Sequence, residues 1–279
     1  MRLITLIENE TARRDLMAEH GLSFLVEADG KQILFDTGSS SYVWKNAEKL
    51  GVSPRDIDIV VLSHNHYDHV GGLTQGIRLG MDAEIVCGEE FFDEKYRRRE
   101  AEGVYTDLGC GLSRRFEKEN SSKIQICGEM LQLTEHCFAV GRFKRTNKWE
   151  EISNKFLRRT ALSMGPDAFE DEICMVIELD GGDSVGVITG CSHPGIINIL
   201  ETVKTRFPGR KLAFAAGGIH LKDAGEEQRR RTIEALRDLK VESLWFNHCS
   251  GEFLEEAIAA GKSGISGGRL RSGDCLFFQ

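Results

Sequence analysis

Four side chains able to bind a metal ion lie within six residues, in the segment Ser63-His64-Asn65-His66-Tyr67-Asp68-His69. They form the pattern His-x-His-x-Asp-His. Imidazole and carboxylate groups together suit zinc, iron and manganese. In an extended segment, residues two positions apart point the same way, so His64 and His66 can bind one ion. Asp68 and His69 are displaced along the chain and could reach a second ion.

Two metal ions in one site would support hydrolytic chemistry. Divalent ions about 3.5–4 Å apart can share a hydroxide and stabilise an oxyanion, and zinc can lower the pKa of its bound water to about 7. The alternative is a polar loop whose histidines only cap the next helix, and the crowding of four ligands argues against it. A helical zinc-protease motif is excluded because His-Glu-x-x-His is absent, and Gly71 and Gly72 disfavour a helix through this stretch.

The elements around this segment position it on a loop. Residues 57–62 are apolar and β-branched, which predicts a buried strand directly before the ligands. Gly71 and Gly72 follow the ligands and allow a tight turn. Open α/β proteins carry their sites on such loops, at the C-terminal ends of buried strands.

Length and composition are those of an ordinary globular protein and exclude several classes of function. The 279 residues can bury a sizeable core, no apolar run approaches the roughly 20 residues that span a bilayer, and the N-terminus is too short and too soon acidic for a signal peptide. The net charge of −8 argues against general nucleic-acid binding. The eight cysteines include no C-x-x-C pair, so we expect free thiols and a cytoplasmic protein without membrane partners.

Regular hydrophobic patterns occur in both halves of the chain. They predict strands at 2–8, 21–28, 31–35, 57–62, 84–87, 173–179, 184–188, 211–215 and 241–246. They predict helices at 41–50, 196–206, 225–239 and 253–260, and a short last strand. Asp29-Gly30 and the segment 180–183 are typical of hairpin turns.

The segment at about 89–160 has a weaker pattern and a small excess of basic residues. We interpret it as a partly helical insertion in a single domain that covers residues 1–279. It is either a solvated surface element or a basic lid that holds an anionic substrate over the metals.

Further metal ligands are predicted where strands of the C-terminal half end. His193 follows the strand 184–188 in the turn Thr-Gly-Cys-Ser-His and is the best candidate to complete a three-histidine site with His64 and His66. His220 and His248 also follow strands, and either could supply the missing ligand of the second ion, with His248 preferred.

Asp36 stands at the end of the strand 31–35, in the sequence Asp-Thr-Gly. Its carboxylate could cap a loop or support the metal-binding loop from behind its ligands. The second role is preferred because both loops end strands of what we expect to be one sheet.

These motifs resemble those of the metallo-β-lactamase fold superfamily. The resemblance rests on His64-x-His66-x-Asp68-His69 after a hydrophobic strand, preceded by Asp36-Thr37-Gly38. Three further blocks, at 189–193, 217–220 and 248–251, resemble the branch of 7,8-dihydropterin-6-methyl-4-(β-D-ribofuranosyl)aminobenzene 5′-phosphate synthase-like proteins. The similarity covers nearly the whole chain.

The resemblance implies an α/β (α+β) fold, a four-layer αββα sandwich with two divalent metal ions at one edge of its sheets. Zinc is expected, with iron or manganese as alternatives. The implied ligands are His64, His66 and His193 for one ion and Asp68, His69 and His248 for the other.

Cys191 departs from the pattern of the superfamily, in which many hydrolases carry a bridging Asp in a Thr-Gly-Asp turn. A thiolate at this position could bridge two metals, because softer ligands suit zinc. Alternatively Cys191 only packs, which is the preferred interpretation.

The leading functional hypothesis is a dinuclear metal-dependent hydrolase that attacks a phosphate ester, or another anionic small molecule, through a metal-bound hydroxide. Asp68 would be a ligand and orienting carboxylate, and His220 a hydrogen-bond donor or proton carrier near the leaving group. The branch implies an alternative, a synthase that condenses a pterin diphosphate with a ribofuranosyl-aminobenzene phosphate. A non-enzymatic ligand sensor that contains metal is a third hypothesis, and the intact ligand set argues against it.

Overall fold

Two large β-sheets packed face to face form the body of the protein, which the computed structural model describes at residues 1–99, 103–109, 111–259 and 264–278. The strands are β1 (Arg2–Ile7), β2 (Ser23–Ala28), β3 (Lys31–Phe35), β4 (Ile59–Leu62), β5 (Glu84–Gly88), β6 (Glu94–Arg98), β7 (Tyr105–Asp107), β8 (Ile124–Cys127), β9 (Met130–Gln132), β10 (Cys137–Val140), β11 (Phe156–Arg159), β12 (Met164–Pro166), β13 (Cys174–Leu179), β14 (Ser184–Thr189), β15 (Lys211–Gly217), β16 (Ser243–Phe246), β17 (Ser266–Arg269) and β18 (Cys275–Phe277). The helices are α1 (Tyr42–Lys49), α2 (Tyr67–Val70), α3 (Leu73–Arg78), α4 (Arg114–Glu119), α5 (Ile196–Arg206), α6 (Glu226–Asp238) and α7 (Phe253–Ala259).

The two sheets follow the same plan. One has the strand order β18-β1-β2-β3-β4-β5-β8 and the other the order β17-β16-β15-β14-β13-β10-β9. Each joins an antiparallel hairpin, β2–β3 or β13–β14, to parallel strands that follow it. Parallel neighbours end at the same edge of a sheet, so the loops after β3 and β4, and those after β14, β15 and β16, each form a cluster.

Three apolar cores hold four layers together and confirm the predicted αββα sandwich. Along β4, Ile59 and Val61 face the core between the sheets, whereas Val60 and Leu62 face the core beneath α1 and α3. A third core lies between the second sheet and helices α5, α6 and α7. Side chains alternate across a strand, so a strand buried on both faces must be a continuous apolar run, which is the pattern at 59–62.

The predicted helices and strands outside the segment 89–160 begin and end within two residues of the observed ones. Residue 260, the last of the predicted helix 253–260, lies outside the described residues. Asp29 and Gly30 have φ angles of 53° and 71°, as the predicted hairpin turn requires. No helix in the described ranges is both long enough and apolar enough to cross a lipid bilayer.

The segment 89–160 differs from the expected insertion. Its described helical part is α4, six residues long, and β8, β9 and β10 extend the two main sheets. Strands β6, β7 and β11 join β12 in a separate small sheet, which we call the third sheet. The one fully buried side chain of β6 is Lys95, so this strand carries no apolar period that the sequence could reveal. Residues 100–102 and 110 of this segment lie outside the described residues.

Candidate metal centre

The predicted ligands converge at one edge of the sandwich, where strand-end loops of both sheets meet. His64 follows β4 in the first sheet, whereas His193 follows β14 in the second. The two loops touch closely, because a Cβ atom built on Gly190 would lie 2.1 Å from Oγ of Ser63. Only glycine fits at position 190, and its small size lets the two sheets share one site.

His64, His66 and His193 form the first group of candidate ligands. One ligand atom of each lies within 4.8 Å of the others. Their Nε2 atoms are buried and have no hydrogen-bond partner among the described residues. Burial lowers the pKa of His66 to about 3 and holds the pKa of His64 and of His193 well below the usual value. Burying an imidazole nitrogen without a hydrogen-bond partner costs free energy. A divalent cation binds neutral imidazole through such a nitrogen, so these residues fit a metal ion.

Hydrogen bonds behind the rings fix their orientation. The Ser63 hydroxyl donates to Asp36 Oδ2 at 2.7 Å and lies 2.9 Å from Nδ1 of His64. Because the Ser63 hydroxyl donates its proton to Asp36, Nδ1–H of His64 must donate to the Ser63 oxygen. The lone pair of His64 Nε2 is therefore free to bind a metal ion. On the other side, Glu172 accepts hydrogen bonds from the backbone N–H groups of Ser192 and His193, at 2.6 and 2.9 Å.

Asp68, His248 and His20 form a second group. Asp68 Oδ2 lies 3.4 Å from Nε2 of His248 and 3.1 Å from Nε2 of His20. Asn9 Oδ1 lies 3.1 Å from Nδ1 of His248, which directs Nε2 towards Asp68. Burial opposes ionisation of Asp68, but the neighbouring His69 and hydrogen bonds from His20 and His248 hold its pKa well below the usual range.

His20 was not predicted, and its signal in the sequence is weak. It lies in the polar segment 9–20, where no strand or glycine turn marks it as a ligand. Its side chain is 57% exposed, and its ring stacks on His248 with centroids 4.8 Å apart. The group Asp68–His20–His248 therefore opens to solvent on one side.

His69 lies between the two groups. Its Nδ1 is 2.6 Å from Asp36 Oδ2, and its Nε2 is 3.2 Å from Cys191 Sγ and 4.0 Å from Asp68 Oδ2. Burial disfavours a charge on this ring, but Asp36 and Asp68 raise its pKa to about 9. A metal ion at Nε2 would have to displace a proton. His69 shares a compact group with His64 and Cys191, so its assignment to the ion of Asp68 and His248 stays a prediction.

Asp68 and His69 lie in α2, a single helical turn in the stretch where the sequence predicted a loop. The turn ends at Val70, before Gly71 and Gly72, so it avoids the cost of glycine inside a helix. His66 stands just before it in extended conformation, with φ −111° and ψ 144°. Because the chain changes from extended to helical after His66, the pair His64 and His66 points in a different direction from the pair Asp68 and His69, as their spacing in the sequence indicates.

Cys191 is buried, and its Sγ faces His69 rather than apolar side chains alone. It also belongs to a further group with His220 and Cys249, whose ligand atoms lie within 4.8 Å of one another. Burial raises the pKa of Cys191 well above the usual value, whereas hydrogen bonds from Cys191 and His220 outweigh burial and lower the pKa of Cys249. Cys249 was not predicted as a site residue.

A buried ion network supports the metal-binding loop from the third sheet. Nζ of Lys95 donates to Asp171 at 2.7 Å and to Asp167 at 2.9 Å. Asp171 Oδ2 in turn accepts the backbone N–H of Asn65, between the two ligand histidines, at 3.0 Å. Burial lowers the pKa of Lys95, but the two carboxylates outweigh burial and raise it. The loop is thus positioned by a lysine that sequence patterns did not single out.

The third sheet also covers the histidines. The ring of Phe156, in β11, lies 5.6 Å from that of His66, 5.1 Å from that of His193 and 5.9 Å from that of His220, measured between centroids. Phe156 is half-buried and therefore reaches both the ligands and solvent.

Many basic side chains of the segment 89–160 are engaged in ion pairs. Arg142 pairs with Glu89 at 2.6 Å, and Arg114 pairs with Asp93 at 2.8 Å. Arg158 pairs with Glu90. These contacts neutralise part of the positive charge that a basic lid would offer to a substrate.

The fold and the site define the class of protein to which the chain belongs. The family profile described as the metallo-beta-lactamase superfamily matches residues 17–154. The chain belongs to this superfamily, and its four layers and strand-end histidines agree with that membership.

Among individual proteins, the chain is similar to the 7,8-dihydropterin-6-methyl-4-(beta-D-ribofuranosyl)-aminobenzene-5'-phosphate synthase of Methanocaldococcus jannaschii. The two are 31% identical over 255 residues, which cover 86% of this chain and 85% of the relative. An uncharacterized protein of the same organism is 26% identical over 256 residues, which cover 89% and 91% of the two chains.

Among solved structures, the chain resembles Tm1679, described as a metal-dependent hydrolase of the beta-lactamase superfamily. The TM-score is 0.82 at 27% identity, with 100% of this chain and 99% of the other covered. The metallo-beta-lactamase fold protein YhfI from Bacillus subtilis aligns with a TM-score of 0.58 at 11% identity, covering 99% and 98% of the chains, which is a similarity of fold alone.

Proposed function

We propose that this protein is a hydrolase that uses two divalent metal ions and acts on a phosphate ester or another anionic small molecule. One observation carries the proposal: the buried, unpartnered Nε2 atoms of His64, His66 and His193 face one another beside the ionised carboxylate of Asp68. Zinc is the first choice of metal, with iron and manganese as alternatives, because imidazole and carboxylate ligands accept all three.

In this proposal, His64, His66 and His193 hold one ion, and Asp68, His69 and His248 hold the other. Metal ions in such a site supply Lewis-acid stabilisation of negative charge that develops on substrate oxygen atoms. Asp68 orients its neighbours through contacts to His20 and His248 at 3.1 and 3.4 Å.

Two further histidines are candidates for proton transfer. His20 is exposed and contacts Asp68, so it can carry protons between the site and solvent. The ring of His220 lies 4.2 Å from that of His193, between centroids, and is our candidate for the group that protonates the leaving oxygen. Phe156 covers the same rings and would limit the access of water while a substrate is bound.

A synthase of the pterin-related kind is the second candidate function. It is favoured by the 31% identity to the relative of that name over 85% of its length. Such a transferase would release diphosphate without attack by water, and it would use the same stabilisation of a departing anionic group. The cysteine at position 191 fits either reaction.

A substrate panel with two readouts separates the candidates. Metal-loaded protein is tested on phosphomonoesters, phosphodiesters, thioesters and lactones, and for pyrophosphate release from a pterin diphosphate with and without a ribofuranosyl-aminobenzene phosphate. Hydrolysis that is lost in His64→Ala and kept in His136→Ala supports the hydrolase, because His136 pairs with Asp29 rather than with the site. Pyrophosphate release only with both substrates supports the synthase, and inactivity throughout refutes both.

We also assign the protein to the cytoplasm. The support is chemical: the seven cysteines in the described part of the chain are free thiols, as expected in a reducing compartment. Fractionation of cells that express the protein tests this assignment.

A further inference from the structure

Cys191, His220 and Cys249 come together behind the first group of histidines. They follow three adjacent parallel strands, β14, β15 and β16, so the ends of those strands bring them to one point. Their ligand atoms lie within 4.8 Å of one another, and both thiols are buried. His220 Nδ1 is likewise buried and has no hydrogen-bond partner within the described ranges.

These two thiols differ from the other described buried cysteines. Cys87, Cys127, Cys137 and Cys174 each belong to one of the three apolar cores, where a thiol acts as a small apolar side chain. Cys191 and Cys249 belong to none of those cores. They face each other and a histidine instead, and core packing does not explain this polar environment.

The loops that carry the cluster are held in a specific, strained arrangement. A Cβ atom built on Gly218 would lie 2.7 Å from Cys249 Sγ and 2.4 Å from the carbonyl oxygen of Gly190. The φ angle of His220 is 45°, a left-handed value that costs energy outside glycine. Hydrogen bonds stabilise this geometry: Gly218 N–H donates to Gly190 at 2.9 Å and the Ile219 N–H to the Ser250 hydroxyl at 3.2 Å.

We propose that Cys191, His220 and Cys249 form a third cation site, adjacent to the histidine–aspartate positions through the contact of Cys191 with His69 and selective for a thiophilic metal. Two thiolates and an imidazole are soft to borderline ligands, which favour zinc or cadmium over magnesium or manganese. Cysteine binds a cation as its thiolate, so any proton that either sulfur still holds is released to solvent on binding. With three protein ligands, one of them beside His69, this site is weaker than a closed four-ligand site and fills when a thiophilic cation is supplied.

Cadmium titration of the full-length protein tests the site directly. Protein stripped with a chelator and kept reduced with a phosphine is titrated with Cd(II), while thiolate-to-cadmium charge-transfer absorbance is recorded in the ultraviolet. The expected result is a charge-transfer band in wild type that is largely lost in Cys249→Ala and weakened in His220→Ala. The matched control Cys275→Ala keeps the band, because Cys275 lies half-buried in β18, where its sulfur accepts a hydrogen bond from Arg2.

Absence of the band in wild type, or an undiminished band in Cys249→Ala, would overturn the proposal. If Cys249→Ala does not fold, cadmium NMR of wild type and Cys249→Ser replaces it. A resonance typical of two thiolate ligands in wild type, lost in Cys249→Ser, supports the site. A resonance that is the same in both proteins refutes it. Neither readout depends on which reaction the enzyme catalyses.

Discussion

The Asp36 carboxylate lies 2.6 Å from Nδ1 of His69 and accepts the Ser63 hydroxyl at 2.7 Å, and this hydroxyl contacts Nδ1 of His64. One fully buried acid therefore orients two candidate metal ligands at once, with the Nε2 atom of each ring turned into the site. The strand-end position of Asp36 after β3, beside β4, makes this possible.

Replacement of Asp36 by asparagine should weaken metal binding about 10- to 100-fold, because a neutral amide cannot accept all of these hydrogen bonds. The affinity is measured by competition with a chromophoric chelator. Asp58→Asn is the matched control, since that carboxylate is only partly buried and accepts hydrogen bonds from Lys31 and from the Gln32 N–H, away from the candidate ligands. Equal metal affinity in Asp36→Asn and wild type would show that the orientation is unimportant.

Replacement of Lys95 by methionine should destabilise the fold by about 3–5 kcal/mol, because it leaves Asp167 and Asp171 buried without their cation. Urea unfolding measures the change. Lys31→Met removes an exposed ion pair with Asp58 and should cost at most about 1 kcal/mol. Similar small losses in both variants would contradict the role of the buried network.

Glu150 should make stability depend on pH. Burial raises its pKa from 4.5 to about 7, although the backbone N–H groups of Ile197 and Asn198 partly oppose this. The folded state therefore binds the proton more tightly than the unfolded chain, and the free energy of unfolding falls as pH rises between those two values. The loss is at most about 3 kcal/mol and is complete above the folded-state pKa.

The measurement for Glu150 is urea unfolding at a series of pH values for wild type and Glu150→Gln. The variant cannot titrate at this position, so its stability relative to wild type should increase with pH across this window. Parallel pH profiles for the two proteins would contradict the raised pKa.

Phe156→Ala should raise KM for the substrate roughly 2- to 10-fold while metal content stays unchanged, because the ring covers His193 and His66 without being a ligand. Steady-state kinetics with a substrate from the panel, alongside metal analysis, provides the measurement. Phe277→Ala, which alters a ring that is 75% exposed, is the control. An unchanged KM, or a loss of metal, would rule out a role in substrate binding.

The sequence predicts the strands and most candidate ligands because both leave strong local signals. Apolar runs such as 59–62 end abruptly in polar residues, and the ligand histidines lie within the few residues that follow the strand. His20 carries no such signal, because it reaches Asp68 only through tertiary packing of an irregular loop. The third sheet is hidden for a related reason: β6 buries Lys95, whose charge is neutralised by aspartates more than seventy residues away.

Cys249 shows a further limit of sequence patterns. It lies beside His248, and the predicted chemistry of that turn was assigned to the histidine alone. Its role depends on Cys191 and His220, which follow other strands and meet it only when three parallel strands align.

Metal analysis of protein purified without added metal tests the central claim most directly. Wild type is compared with His64→Ala, His193→Ala and His136→Ala, and circular dichroism verifies that each variant folds. We predict about two metal ions per chain in wild type and in His136→Ala, and a clear loss of metal in the other two variants. Unchanged metal content in His193→Ala, or a folded wild-type protein without metal, would contradict the account.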